Sequence, residues 1–464
     1  MFIKRILASE VAVLDSNVYT GGGTDVTAQL QAVLDEAAVC GGVHLIMDGA
    51  ALVSGLKVHS NTTIECLTRD CGFFQTPHAN CALVTNYRRS FYQRNTRNII
   101  LKGGTYNQDC LRQEHHIPLN TCDEETRWLF SMDGTQNCTE MDTERWVFGL
   151  EFYGVEHLEI RDLTIRNFRT FAVTVGGFRN VTIENVWLDL PDRMQSQNQD
   201  GFHFWGPGQF LTLRNVGGRV GDDFMNIGPD EQDCRSSITD VLIDGVFLDD
   251  ADQAIRMLSR GTGTLDRVTV RNMSGTYRSY GFYINPWFTG ETYGDMKNIF
   301  IENIDLRPVE PNYHHLPPML FNIGGNIESM IVKNVRHHRP YDGRPLFLLG
   351  QPFYDPAWPL PEDNSPLLEN VEIDGLTIME YDGAAAQADY IQVSQPIGRL
   401  ALKNVTVLRK NTGPAAGHLL SFTKEEGHIG LLYMNDVTAN GFDRLIESDE
   451  KIDEIVSVNV HHHR

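Results

Sequence analysis

The chain repeats one short phrase of alternating apolar residues, and each copy ends near an Asn or Gly that an aliphatic residue follows. The copies lie at 158–165, 181–186, 211–216, 241–246, 268–273, 299–304, 330–335, 371–376, 400–405 and 431–435. Period-two alternation with β-branched residues is typical of a short strand, and Asn or Gly provides the bend at a corner. A period of about 30 residues is typical of a solenoid, in which equivalent positions of neighbouring repeats stack on one another.

A second short apolar stretch recurs once per repeat, between the copies of the first phrase. Its members lie at 171–175, 202–205, 224–227, 254–257, 282–285, 319–322, 346–349, 390–393 and 419–422. Two or three short strands per repeat without an intervening helix favour an all-β fold, a single-stranded parallel β-helix. A leucine-rich repeat would need its own Leu and Asn spacing, and a propeller would need four strands per blade.

The 464 residues contain no obvious linker, and a solenoid allows so long a chain to form one domain, 1–464. Residues 17–45 form the predicted N-terminal cap region. Within it, Thr24 to Thr27 precede a helical pattern over 28–37 that should end before Cys40. Residues 106–146 are polar and break the repeat, which indicates an inserted loop region.

Two acidic motifs stand at the same point of consecutive repeats: Asn198-Gln199-Asp200-Gly201 and Gly221-Asp222-Asp223. The repeat pattern predicts that Asp200 stacks on Asp222, with Asp223 beside them. Neighbouring parallel strands lie about 4.8 Å apart, so such carboxylates raise one another's pKa and one of them keeps its proton near neutral pH. Hydrolysis of a glycosidic bond needs this combination, a protonated carboxyl for the leaving oxygen and an ionised carboxylate on the opposite side.

The N-terminal phrase 21–31, a Gly/Asp turn before an Ala-rich helix, resembles that of the pectin-lyase-like superfamily of right-handed parallel β-helices. The acidic motifs resemble glycoside hydrolase family 28, the polygalacturonase family. Residues 254–258 resemble its Arg-Ile-Lys motif, with Arg256 matching the Arg and Leu258 in place of the Lys. The family's Gly-His-Gly motif is missing. The resemblance implies that Asp222 is the general acid, that Asp200 and Asp223 hold and activate the water, and that the anomeric configuration inverts.

Seven residues near these motifs are candidates for substrate binding: Arg256, His203, Asn198, Trp205, Tyr283, Trp287 and Arg260. Arg256 suits a sugar carboxylate or hydroxyl, and it suits equally a structural ion pair with a neighbouring Asp. His203 follows Asp200 by three residues and fits either the site or a structural role. The aromatic rings fit sugar stacking or packing in the protein.

Three classes of function remain open at this point. The first is an inverting glycoside hydrolase acting on a galacturonan-like or related poly- or oligosaccharide. The second is a β-helix polysaccharide lyase, which would remove a proton beside a uronate carboxylate. The third is a non-catalytic carbohydrate-binding or phage-tail-type solenoid.

The net charge of −22 argues against nucleic acid and anionic membranes as partners, and it requires local Arg or Lys for any acidic substrate. No apolar run reaches the ~18 residues that span a bilayer. The spacings of the eight cysteines fit no zinc template, so we expect no metal and no cofactor. Free buried thiols are one interpretation, and a disulfide among Cys110, Cys122 and Cys138 is the other. The oligomeric state (monomer, trimer or another homo-oligomer) and the cellular location stay open.

Overall fold

The computed structural model describes residues 3–131, 144–192, 198–259, 261–286, 292–309, 319–339, 345–350, 366–381, 389–410, 417–423 and 425–463. The chain divides into two compact units, Met1–Leu242 and Ile243–Arg464. Each unit consists mainly of parallel strands that pair coil upon coil, so the fold is the parallel β-helix that the repeats predict. The single domain over 1–464 stays a prediction. Among the described residues, no helix combines the length and the hydropathy that crossing a bilayer requires.

The described residues of the first unit form two α-helices and the first seventeen strands. The helices are α1 (Thr27–Cys40) and α2 (Glu124–Ser131), and short 3-10 turns occupy Ala8–Glu10, Cys110–Arg112 and Leu119–Thr121. The strands are β1 (Lys4–Leu7), β2 (Val43–Met47), β3 (Ala50–Val53), β4 (Leu56–Val58), β5 (Thr62–Cys66), β6 (Gly72–Gln75), β7 (Val84–Asn86), β8 (Thr96–Lys102), β9 (Thr105–Asn107), β10 (His116–Pro118), β11 (Glu144–Trp146), β12 (Leu150–Arg161), β13 (Thr164–Arg166), β14 (Val173–Glu184), β15 (Trp187–Asp189), β16 (Phe202–Arg219) and β17 (Asp223–Gly228).

Strand β18 (Ile238–Met257) contains the boundary between the units. The second unit continues with β19 (Thr264–Ile284), β20 (Asp295–Pro308), β21 (Met319–Ile323), β22 (Ile327–Arg339), β23 (Phe347–Leu349), β24 (Leu368–Tyr381), β25 (Ile391–Val393), β26 (Pro396–Lys410), β27 (His418–Phe422), β28 (His428–Asn440), β29 (Arg444–Ile446), a 3-10 turn at Asp449–Lys451 and β30 (Ile452–His463).

The core of each unit is a set of columns in which apolar side chains at equivalent positions stack from coil to coil. One column of the first unit runs through Leu45, Ile64, Leu101, Ile160, Ile183 and Leu213. One column of the second unit runs through Val270, Ile301, Val332, Ile373, Leu402 and Met434. These side chains are buried, because alternation along a strand directs every second residue inward. The hydrophobic repeat therefore sets the register of the coils.

Asparagines in the left-handed conformation turn the corners of the coils, as the repeated phrase predicts. In the second unit Asn272, Asn303 and Asn334 have φ values of 59°, 58° and 53°. Their side chains form a ladder, in which Asn303 Nδ2 donates to Asn272 Oδ1 at 3.0 Å and Asn334 Nδ2 donates to Asn303 Oδ1 at 3.1 Å. Asn tolerates this conformation better than most residues, and its amide also forms a hydrogen bond with the Asn of the neighbouring coil.

Helix α1 confirms the helix that the N-terminal sequence predicts, although it extends through Cys40 where the prediction ended earlier. Asp25 accepts hydrogen bonds from the backbone N–H and the hydroxyl of Thr27 at its start, at 2.9 and 2.5 Å. Gly41 ends the helix at φ 95°, a value that glycine adopts without strain.

The region 106–146 contains regular structure as well as loops. Strands β10 and β11 pair antiparallel, and α2 lies between them in sequence. Cys110 and Cys122 are free thiols here, while Cys138 lies outside the described residues. Burial raises the pKa of the Cys110 thiol to about 12, so this thiol stays neutral at physiological pH.

Candidate active site

The two acidic motifs lie on consecutive coils of the first unit, where β16 pairs with β17. The pairing starts at Phe202 opposite Met225 and continues with His203 opposite Asn226. The pairing of β16 with β17 begins only at Phe202, so the stacking of Asp200 on Asp222 stays a prediction.

Two glycines allow the motifs to approach each other this closely. The Gly201 N–H donates to the Asp223 carbonyl at 2.8 Å, and a Cβ at Gly201 would lie 2.5 Å from the Phe224 carbonyl oxygen. The Gly221 N–H donates to the Gln199 carbonyl at 2.9 Å, and a Cβ at Gly221 would lie 2.7 Å from Gln199 Cβ. A side chain at either position would force the two coils apart.

The three predicted carboxylates differ in their environment. Asp222 is half-buried, and its Oδ2 accepts the backbone N–H of Asn198 at 2.7 Å. Asp223 begins β17 and is 2% exposed, and Asp200 is 3% exposed. The Asn198 N–H thus helps to orient the Asp222 carboxyl, and contact of Asn198 with a substrate stays a prediction. Of the three, Asp222 is the most open to solvent.

His203 lies between two carboxylates. Its Nδ1 is 2.9 Å from Asp200 Oδ2, and its Nε2 is 2.9 Å from Oε2 of Glu231, which the turn after β17 carries. Burial disfavours the charged imidazole, but the charge of Glu231 and the hydrogen bond to Asp200 outweigh burial and raise the His203 pKa to about 9. The imidazole therefore carries a proton at neutral pH.

Aromatic rings cover this group from outside the coil. Phe171 stacks on His203, and Phe148 stacks on Phe171 with ring centroids 4.9 Å apart. Trp205 is 1% exposed and donates its indole N–H to Glu231 Oε2 at 2.9 Å. Both His203 and Trp205 are thus packed beneath the surface, and their contact with a substrate stays a prediction.

The remaining candidates are placed as follows. Arg256 and Tyr283 lie in the second unit, with the guanidinium carbon of Arg256 5.9 Å from the centre of the Tyr283 ring. Tyr283 is 1% exposed and stacks on Tyr280 at 4.7 Å. Trp287 and Arg260 lie outside the described residues. Substrate binding by these four residues stays a prediction.

Sequence reasoning missed Glu231, Asn226 and Phe171. The repeat pattern could have identified Asn226, because Asn226 is level with His203 in the next coil. Its Nδ2 lies 3.3 Å from Glu231 Oε2. Phe171 begins one of the predicted second strands, but nothing in the pattern showed that its ring covers His203. Glu231 belongs to an irregular turn that no repeat describes. In the described part of the chain, no group of three or more His, Cys, Asp or Glu side chains is arranged to hold a metal ion.

Comparison with known proteins agrees with this geometry. The family model of glycosyl hydrolases family 28 matches residues 131–307, a range that contains both acidic motifs and the Asp200–His203–Glu231 group. Over this segment, less than half of the chain, the sequence resembles family 28. An exopolygalacturonase of Platanus acerifolia is 29% identical over 109 residues, which span 23% of this chain and 27% of that protein's length.

One solved structure supports the fold, and a second is reported beside it. A hyperthermoactive exopolygalacturonase from Thermotoga maritima aligns over 93% of this chain and 91% of its own with a TM-score of 0.50 and 13% identity. The family 28 exopolygalacturonase of Yersinia enterocolitica aligns over 100% of this chain and 78% of its own, with a TM-score of 0.48 and 12% identity. At such identities the likeness concerns the fold alone.

Proposed function

We propose that this protein is an inverting glycoside hydrolase that cleaves a glycosidic bond in a galacturonan-like or related poly- or oligosaccharide. The observation that carries the proposal is the position of three Asp residues on two consecutive coils, with one of them, Asp200, held by a buried His203. Placing carboxylates together and burying two of them is costly unless the fold compensates for it, and such arrangements are concentrated at functional sites. The match of the family 28 model to this segment supports the same reaction.

The residues divide the chemistry between them. Asp222, the most open carboxyl, donates its proton to the glycosidic oxygen as the bond from that oxygen to the anomeric carbon breaks. Asp200 and Asp223 hold a water molecule, and the water proton passes to a carboxylate as the water oxygen bonds to the anomeric carbon from the opposite face. The products are two sugars, one of which carries a new anomeric hydroxyl of inverted configuration.

The substrate class follows from relatives and from charge. Two relatives are named exopolygalacturonases, which favours a uronate polymer. A protein with a net charge of −22 repels such a polymer on average, so binding needs local cations. Arg256 is the candidate for this role, and its position over Tyr283 orients the guanidinium.

The test is release of reducing sugar from polygalacturonate, with neutral galactan as the comparison substrate. We expect Asp222→Asn and Asp200→Asn to lower kcat by about 10³-fold or more while folding is kept. Asp240→Asn is the matched control, because Asp240 also lies in the first unit, at φ 62°, a conformation that Asn tolerates, and belongs to neither motif. Full activity in Asp222→Asn would refute the assignment of the acid.

Product analysis separates the alternatives. NMR of the first product formed should show the inverted anomer. An unsaturated product that absorbs in the ultraviolet would identify a lyase instead. Binding without turnover across a broad panel of glycans would identify a carbohydrate-binding solenoid.

A further inference from the structure

The group formed by Asp200, His203 and Glu231 has a hydrogen-bonding pattern that favours one charge state, and the Asn226 amide nitrogen also lies 3.1 Å from His203 Nε2. A neutral imidazole has one N–H donor and one acceptor nitrogen, whereas the imidazolium has two donors. Each ring nitrogen of His203 faces a carboxylate oxygen at 2.9 Å. Because an ionised carboxylate only accepts, the imidazolium is the form that bonds to both.

The surroundings of Glu231 favour its negative charge. Its Oε2 accepts the Trp205 indole N–H at 2.9 Å and lies 3.3 Å from the Asn226 amide nitrogen. The Glu231 side chain is 12% exposed, and those of His203 and Asp200 are 3% and 4% exposed. Away from water, attraction between these charges is much stronger than at the surface.

The turn that carries Glu231 is itself fixed. Gly228 lies directly under the carboxylate, since a Cβ there would be 2.6 Å from Glu231 Oε2. Further along the turn, Asp233 Oδ2 accepts the Tyr92 hydroxyl at 2.9 Å, and its Oδ1 accepts the Ser236 N–H at 2.9 Å. Tyr92 comes from an earlier loop of the same unit, so the turn is anchored at both ends.

From this geometry we propose that Glu231 and His203 are positioning residues for the hydrolysis proposed above: Glu231 keeps His203 protonated, and His203 keeps Asp200 ionised. Asp200 is then confined to accepting the water proton, and the proton donor must be the other motif, Gly221-Asp222-Asp223. This inference rests on the proposed function for its catalytic meaning, but the charge state of His203 can be measured without any substrate.

The decisive experiment is an NMR titration of the protein labelled with ¹⁵N-histidine, between pH 5.5 and 10. The variant His203→Gln assigns the His203 signal by its loss. We expect a wild-type midpoint above pH 8, against about 6.5 for an unperturbed histidine. In Glu231→Gln, which keeps the shape of the side chain without its charge, the midpoint should fall by at least one pH unit. Asp240→Asn should leave it unchanged.

Kinetics give the second measurement. The alkaline limb of kcat/KM against pH reports the proton of the acid, Asp222, so Glu231→Gln should leave this limb in place, with KM changed less than twofold. In His203→Gln the acidic limb should move to higher pH, because Asp200 loses its cationic partner. A loss of activity that is equal at every pH would indicate a merely structural role and would overturn the proposal.

The outcomes are distinguishable from failure of the proposed function. If Asp222→Asn is inactive but wild-type His203 titrates near pH 6.5, the hydrolase stands and the inference is wrong. If no glycan is turned over but His203 titrates above pH 8 and responds to Glu231→Gln, the inferred charge state of His203 is confirmed and the proposed hydrolase activity is refuted. Should Glu231→Gln fail to fold, as judged by circular dichroism, the wild-type midpoint still decides the question.

Discussion

The imidazole of His203 lies flat on the phenyl ring of Phe171, with ring centroids 4.1 Å apart and ring planes 5° apart. A protonated imidazole in this position is stabilised by the electrons of the ring, an effect of about 0.5–2 kcal/mol. Phe171→Leu should therefore lower the pKa of His203 by about half a unit to one unit, in addition to a loss of stability of about 1–3 kcal/mol. Phe178→Leu is the matched control, since Phe178 is buried in the same unit and its ring packs edge-on against Phe204 instead. NMR titration of both variants checks the prediction, which fails if the two midpoints are equal.

Stability should depend on pH through His203. Its pKa is about 9 in the folded protein and about 6.5 in an unfolded chain, so folding increases its affinity for a proton. The stabilisation is fully present below about pH 6.5 and is lost as the pH rises to about 9; its size is on the order of 3 kcal/mol. Urea unfolding at pH 6 and pH 9.5 should show the decline in the wild type. His203→Gln should be less stable at pH 6 but lose less on going to pH 9.5, and an equal decline in both proteins would contradict this origin.

The asparagine ladder of the second unit should respond differently to Ala and Gly. Asn303→Ala removes hydrogen bonds to Asn272 and Asn334 and puts at φ 58° a residue that tolerates the left-handed conformation less well than Asn, which together should cost about 2–3 kcal/mol. Asn303→Gly loses the same hydrogen bonds but tolerates the conformation, so its cost should be about 1 kcal/mol smaller. Chemical denaturation of both variants measures the difference. Equal costs would mean that the conformation contributes nothing.

Arg145 forms a buried ion pair with Glu151, and its guanidinium carbon lies 4.3 and 4.2 Å from the ring centres of Phe130 and Phe148. Arg145→Met leaves the Glu151 carboxylate buried with fewer cations beside it and should lower the free energy of unfolding by about 3–5 kcal/mol. The double variant Arg145→Met/Glu151→Leu should recover part of this loss. Arg271→Met, which breaks a more exposed pair, should cost about 1 kcal/mol or less. Denaturation midpoints test the order of the three variants, and a double variant less stable than Arg145→Met would count against it.

The sequence was sufficient to predict the fold because the repeat is visible locally. Alternation identifies the strands, and Asn at corners such as Asn272 and Asn303 identifies the turns, so the parallel β-helix required no knowledge of distant contacts. It also placed the two acidic motifs on neighbouring coils. The stacking of Asp200 on Asp222 lies before the first paired residue of β16, Phe202, and stays a prediction.

The burial and the charge of the site could not be predicted from the repeat in the same way. His203 is covered by Phe148 and Phe171, and its second carboxylate comes from Glu231 in an irregular turn. These contacts join segments that are 28 to 55 positions apart or lie outside the repeat, and no periodic pattern encodes them. The sequence predicted candidate catalytic residues but not the residues that surround His203.

The aromatic cover has a consequence for the exchange of segments among relatives. Trp146 ends the inserted region and Phe148 comes just after it, and their rings pack on Phe171. Without them, water would reach the imidazole, weaken its attraction to both carboxylates and let it lose its proton nearer neutrality. A chimera that receives the two acidic motifs alone would lack the buried surroundings that raise the pKa of His203. Transfer of this site to another protein therefore requires residues 144–148 and Phe171 together with 198–231.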